Sequence, residues 1–188
     1  MGFVDNRIVL ATDLAAADCT ALSVPVSGTL YDLGPAKAGS YATALAGMWL
    51  IVNCTENFSG GGPIQRLALG LSTIGTAINA GGDAAEAEAL ALVGGESIWQ
   101  YGNIDSNLTP AQNRGLDRNT TAGQLFAIPL GVLGKGVTVE RYLGFWASIA
   151  ATTGADGGTT AAFVAGKISA YLTTSIPTNL RHMPDGIA

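Results

Sequence analysis

The sequence predicts an all-β protein, an antiparallel sandwich or barrel, on three observations. Apolar residues recur with period two rather than 3.6, in short stretches. Gly, Pro, Asn and Ser punctuate those stretches where turns are needed. Charged residues make up only 12% of the 188 residues, against about 25% in an ordinary soluble domain, while the chain has 26 Gly and 30 Ala. The balance excludes a disordered chain, which combines low hydrophobicity with high charge. It also excludes long coiled coils, whose seams are flanked by dense Glu, Lys and Arg. The glycines have no three-residue period, which excludes collagen. The length fits one domain over 1–188 with a core that needs neither metal nor disulfide.

Taken in order, residues 7–10 and 28–33 are candidate strands. Residues 48–55 form the next, with Met48, Leu50, Val52 and Cys54 on one face and Trp49, Ile51, Asn53 and Thr55 on the other. Residues 56–63 read as a turn. The triple glycine Gly60 to Gly62 precedes a strand rather than a helix, so it lacks the helix N-terminus that would hold a phosphate. In the strand 65–73, Leu67, Leu69 and Leu71 fall on one face and Arg66, Ala68, Gly70 and Ser72 on the other. Residues 83–92 favour helix by residue type yet alternate, leaving a short helix and a strand both open. Residues 102–123 are polar and loop-like, a candidate contact arm, and 76–122 as a whole reads as a loop-rich insertion. Strands follow at 125–130 and 140–150. Between them Gly131, Gly134, Lys135 and Gly136 lack the spacing of a phosphate-binding loop and read as a hairpin turn. Residues 152–160 form a flexible connection. In the last strand, 162–174, Gly166, Ile168, Ala170 and Leu172 alternate with Lys167, Ser169, Tyr171 and Thr173. Residues 175–188 are a tail.

The chemistry on offer is sparse. A net charge of −5 without a basic cluster argues against nucleic acid. Mean hydropathy is +0.33, but the longest apolar run, 44–52, is about half of what a spanning helix needs, so no membrane is expected as partner. The first residues lack the order of a signal peptide, and Asn6 stands where a myristoylation motif wants Ser or Thr. We therefore expect the chain to be made and used without export. The sequons at Asn53, Asn57, Asn107 and Asn119 then read as chance. Cys19 and Cys54 read as small buried thiols. With His182 the only histidine, no zinc-ligand spacing exists, and that residue sits beside Pro184 in the tail.

No catalytic, cofactor-binding or metal-binding residues are assigned, and an enzyme is not expected. Glu56, Glu86, Glu88, Glu96, Glu140 and the nine Asp show no spacing that singles out an acid/base pair. Trp49, Trp99 and Trp146 could line a sugar platform, which keeps a carbohydrate-binding β-sandwich module as the alternative; core or interface packing competes with it.

Several segments in order carry a resemblance. They are Val4-Asp5-Asn6-Arg7-Ile8-Val9-Leu10, Tyr31-Asp32-Leu33-Gly34, the strand into Val52-Asn53-Cys54-Thr55-Glu56-Asn57-Phe58, Ile128-Pro129-Leu130-Gly131, Arg141-Tyr142-Leu143-Gly144 and Ala165-Gly166-Lys167-Ile168-Ser169-Ala170. Together they resemble the capsid cement, or decoration, proteins of tailed bacteriophages, over nearly the whole chain. The chain departs from the family at 76–122, which is longer and richer in Ala and Gly. The resemblance implies a jelly-roll sandwich with long loops and extended termini. It implies a structural virion protein, made in the host cytoplasm, that binds the outer surface of an icosahedral head. Its partners would be the major capsid protein and further copies of itself, as a dimer or trimer at the symmetry axes, with no cofactor and no catalysis.

Residues 1–12 are then either a contact arm, with Phe3, Val4, Arg7 and Ile8 as partner-binding residues, or the lead into the first strand. An arm can add a strand to a partner's sheet edge, and many weak contacts on one shell gain from multivalency. A surface with few charges loses little to desolvation when buried on a neighbour. Much of the surface is expected to be interface, and an isolated monomer to be poorly soluble.

Overall fold

The computed structural model describes residues 7–19, 25–35, 45–62, 65–77, 84–102, 114–130, 138–149 and 162–174. Phe3, Val4, Asn107, His182, the connection 152–160 and the tail 175–188 lie outside the described residues. The strands are β1 (Ile8–Ala15), β2 (Val26–Ser27), β3 (Tyr31–Asp32), β4 (Trp49–Gly60), β5 (Leu67–Ile74), β6 (Glu96–Tyr101), β7 (Leu125–Pro129), β8 (Tyr142–Ile149) and β9 (Phe163–Thr173). A helix, α1 (Ala84–Val93), precedes β6, and a short 3-10 turn, Ala16–Asp18, follows β1. The protein is an all-β sandwich.

One sheet has the order β1-β9-β4-β7 and the other β2-β8-β5-β6, with β3 also on β8. Every pairing is antiparallel. The pairings nest: β1 with β9, β2 and β3 with β8, β4 with β7, β5 with β6. This is the pattern of one long hairpin folded across itself, the fold being closed by β9 on β4 and β8 on β5. Alternation decides which side chains go between the sheets. Leu50, Val52 and Cys54 from β4, Ile168, Ala170 and Leu172 from β9, Leu67, Leu69 and Leu71 from β5, and Phe145 from β8 fill the core.

The leucines of β5 point inward as expected, but its other face is not solvated: all eight residues are buried. The cause is α1, which lays Leu92, Ala91 and Val93 over Ala68, Ile74 and Trp146 in a second, smaller core. Two close approaches make that layer possible. Gly70 leaves room for the Trp146 indole, and Gly144 for Leu92, whose Cδ1 would lie 2.6 Å from a β-carbon there. The helix ends at Gly94 and Gly95, whose N–H groups donate to the carbonyls of Leu90 and Leu92.

Helix and strand were both open for 83–92; helix forms because the Ala-rich stretch needs only one apolar stripe and the sheet below supplies its cover. The turn expected at 56–63 is strand as far as Gly60. Register shifts after Cys54 and Glu56 interrupt the alternation there, and Phe58 then returns to the core with its ring edge-on to Phe163, centroids 5.6 Å apart. Strand β1 runs to Ala15, well past 7–10, while 28–33 yields only short β3, beside β2, because both merely flank β8. The segment 76–122, expected to be loop-rich, carries α1 and the edge strand β6. The turn expected at 131–136 lies outside the described residues; the strands on either side of it, β7 and β8, belong to different sheets.

Candidate interaction surfaces

The two outer faces of the sandwich are unequal. One is roofed by α1. On the other, the outward residues of β1-β9-β4-β7 form a row in register: Val9 opposite Tyr171, Tyr171 opposite Ile51, Ile51 opposite Ala127. The row is uncharged and apolar across all four strands. Val9 is 57% exposed, while Ile51 at its centre is buried although it belongs to neither core. Trp49 stands beside it, paired with Thr173 and Pro129, and the Arg7 guanidinium lies 5.2 Å from the Tyr171 ring centroid.

Along the strands the same face turns polar. Asp13 sits in a left-handed conformation, φ 49°, within the irregular pairing of β1. Its N–H donates to Ser169 Oγ at 3.0 Å, and Thr55 Oγ1 donates to its carboxylate at 2.7 Å. Lys167 pairs with Glu56 at 2.9 Å nearby. A face graded from an apolar to a polar end can orient a partner as well as bind it.

The candidate arm is placed in part. Arg7 is exposed beside Tyr171. Ile8 lies in β1 opposite Leu172, half-buried against the core, so at this position the first-strand reading holds. With Tyr31, Leu33, Leu45, Met48 and Leu172 it lines a small apolar cleft of about 100 Å³.

The tryptophans do not form a platform. Trp146 is buried under α1, and Trp49 and Trp99 stand on strands of different sheets. Three of the described carboxylates are held in ion pairs: Asp32 with Arg141 at 2.7 Å, Glu56 with Lys167 at 2.9 Å, and Asp117 with Arg66 at 3.8 Å. Among the described residues no group of three His, Cys, Asp or Glu is placed to hold a metal ion. Both cysteines are free and buried. Burial pushes the Cys19 thiol up to about 12 and Cys54 up to about 11. Among the described residues no helix is long and apolar enough to cross a membrane.

At the opposite edge of the sandwich, where β6 ends and β7 begins, lies an open groove of about 480 Å³. Sequence reading passed over it, because Tyr101 and Phe126, whose ring centroids are 5.4 Å apart, come from edge strands of different sheets. Of the loop expected at 102–123, residues 103–113 lie outside the described residues; 114–123 frames the groove and is pinned, for Leu67 and Leu116 exchange backbone hydrogen bonds and Gly123 N–H donates to the Cys54 carbonyl. Comparison of the chain with protein-family models, curated proteins and solved structures finds no match.

Proposed function

We propose that this chain is a capsid decoration protein of a tailed bacteriophage, a structural protein that binds the outer surface of the head and ties major capsid protein subunits together. The observation that carries the reading is the run Val9, Tyr171 and Ala127 on the outside of the sheet away from α1, in register on either side of the buried Ile51. Burying Val9, Tyr171 and Ala127 releases water from apolar surface, and Arg7, stacked on Tyr171, brings its charge to the same patch. The nested strand pairing supports the jelly-roll part of the proposal, because β2 and β3 act as one interrupted edge strand and the sandwich then has two sheets of four strands. The protein acts by binding the assembled shell and not its separated subunits, so occupancy stabilises the shell by mass action. Its own copies associate as a dimer or trimer.

The test uses purified protein and expanded, undecorated heads. Saturable binding and a higher temperature of shell breakage are expected. Decorated and bare shells that break at the same temperature would remove the reading.

A further inference from the structure

We infer that the groove between β6 and β7 binds a neutral saccharide. Its volume of about 480 Å³ falls in the range of small-ligand clefts, roughly 300–1,000 Å³. One wall is aromatic: Tyr101, 37% exposed, leans on Phe126 at an interplanar angle of 43°. The other wall carries Leu116, Asp117, Thr120 and Gln124. A sugar ring offers an apolar C–H face to the first wall and hydroxyls, each donor and acceptor, to the second.

The polar groups are held in place before any ligand arrives. Asn119 N–H donates to Asp117 Oδ1 at 2.9 Å, and Asp117 N–H donates to Thr120 Oγ1 at 3.1 Å. That turn fixes the carboxylate, whose Oδ2 also accepts from Asn119 Nδ2 at 3.4 Å and faces Arg66 at 3.8 Å. The Gln124 backbone is tied to Cys54, whose N–H donates to the Gln124 carbonyl at 2.9 Å, and its side-chain amide supplies both a donor and an acceptor. A cleft assembled in this way spends little of the binding energy on ordering itself.

Charge selects the class of sugar. Among the described residues the lining includes a carboxylate and no Lys, Arg or His, and Arg66 is turned onto Asp117 and onto the Gln65 carbonyl at 2.8 Å. A phosphorylated, sulfated or sialylated ligand would meet an Asp117 carboxylate that already engages the neighbouring Arg66, so it would have to compete for that cation. Neutral hexoses and N-acetylhexosamines meet only hydrogen-bonding groups and the ring.

The test titrates the full chain, away from any shell, so that it stands or falls separately from decoration. Calorimetry with maltotriose, cellotriose, lactose, mannotriose and chitotriose is compared with sialyllactose, glucose 6-phosphate and a mixture of casein peptides. At least one neutral sugar is expected to bind with millimolar affinity or better. Tyr101→Ala should weaken it about tenfold, Tyr101→Phe should retain it, and Gln124→Ala should weaken it less than Tyr101→Ala. Unchanged melting of the variants shows that the fold is intact. The inference is overturned if no neutral sugar binds at about 10 mM, if Tyr101→Ala leaves binding unchanged, or if the anionic sugars or the peptides bind in preference.

Discussion

Gly70 lies directly against the indole of Trp146: a β-carbon at Gly70 would come within 2.1 Å of Trp146 Cζ2, and the ring N–H donates to Ser72 Oγ at 2.9 Å. The two residues face each other across β5 and β8. This contact sets the floor on which α1 packs, and so decides which face of the sandwich is roofed and which is open.

Adding one methyl at Gly70 should therefore be costly. Gly70→Ala is expected to destabilise the protein by about 1–3 kcal/mol through overpacking. Trp146→Phe, which removes the indole N–H and some buried volume, should cost on the order of 1–3 kcal/mol. Urea unfolding followed by far-ultraviolet circular dichroism measures both. If Gly70→Ala proves neutral, the indole is not held against the strand.

Asp32 governs part of the acid limb of stability. Arg141 donates two hydrogen bonds to its carboxylate, at 2.8 and 2.7 Å, and Gly34 N–H a third at 2.8 Å. These hold its carboxyl at about 2, below the ordinary 3.8. The folded state thus takes up the proton less readily than the unfolded chain. Its contribution is complete above 3.8 and is lost as pH falls from there through 2. Asp32→Asn should flatten the stability profile in that window: it lowers stability above pH 3.8, modestly because exposed pairs are screened, and converges with the parent as pH falls through 2. An acid limb identical in the variant would contradict this.

The two thiols should be chemically silent while the protein is folded. With values near 12 and 11, roughly one thiol in a thousand or fewer is ionised at pH 8, and burial blocks the approach of reagent. Ellman's reagent is expected to label neither Cys19 nor Cys54 in buffer and both in urea. The raised values also mean that the folded state keeps its thiol protons longer, so stability present below pH 9, the ordinary thiol value, declines as pH rises past it.

The strands that fill the core were legible from alternation, as Leu67, Leu69 and Leu71 or Ile168, Ala170 and Leu172 show, because a buried face imposes period two. The edge strand β6 was not. It pairs on one side only, and its side chains are mostly exposed or half-buried, so no alternation is imposed. The burial of the second face of β5 was not legible, because its cover comes from a helix elsewhere in the chain. The surfaces were the least legible part. Val9, Tyr171, Ile51 and Ala127 are far apart in sequence and meet only through register, and Tyr101 meets Phe126 only because two sheets close side by side. The candidate arm was half legible: Arg7 stands at the surface by the row, while Ile8 is claimed by the core.

The measurement that bears most directly on the central claim compares two single surface changes in binding to expanded, undecorated heads. Val9→Glu places a charge in the open row, and Leu90→Glu places one on α1, where Leu90 is 48% exposed. Both positions are exposed, so neither change should unfold the protein, which melting in solution checks. The account predicts that Val9→Glu loses saturable binding and the rise in shell-breakage temperature, while Leu90→Glu keeps both. Retention by Val9→Glu together with loss by Leu90→Glu would contradict it.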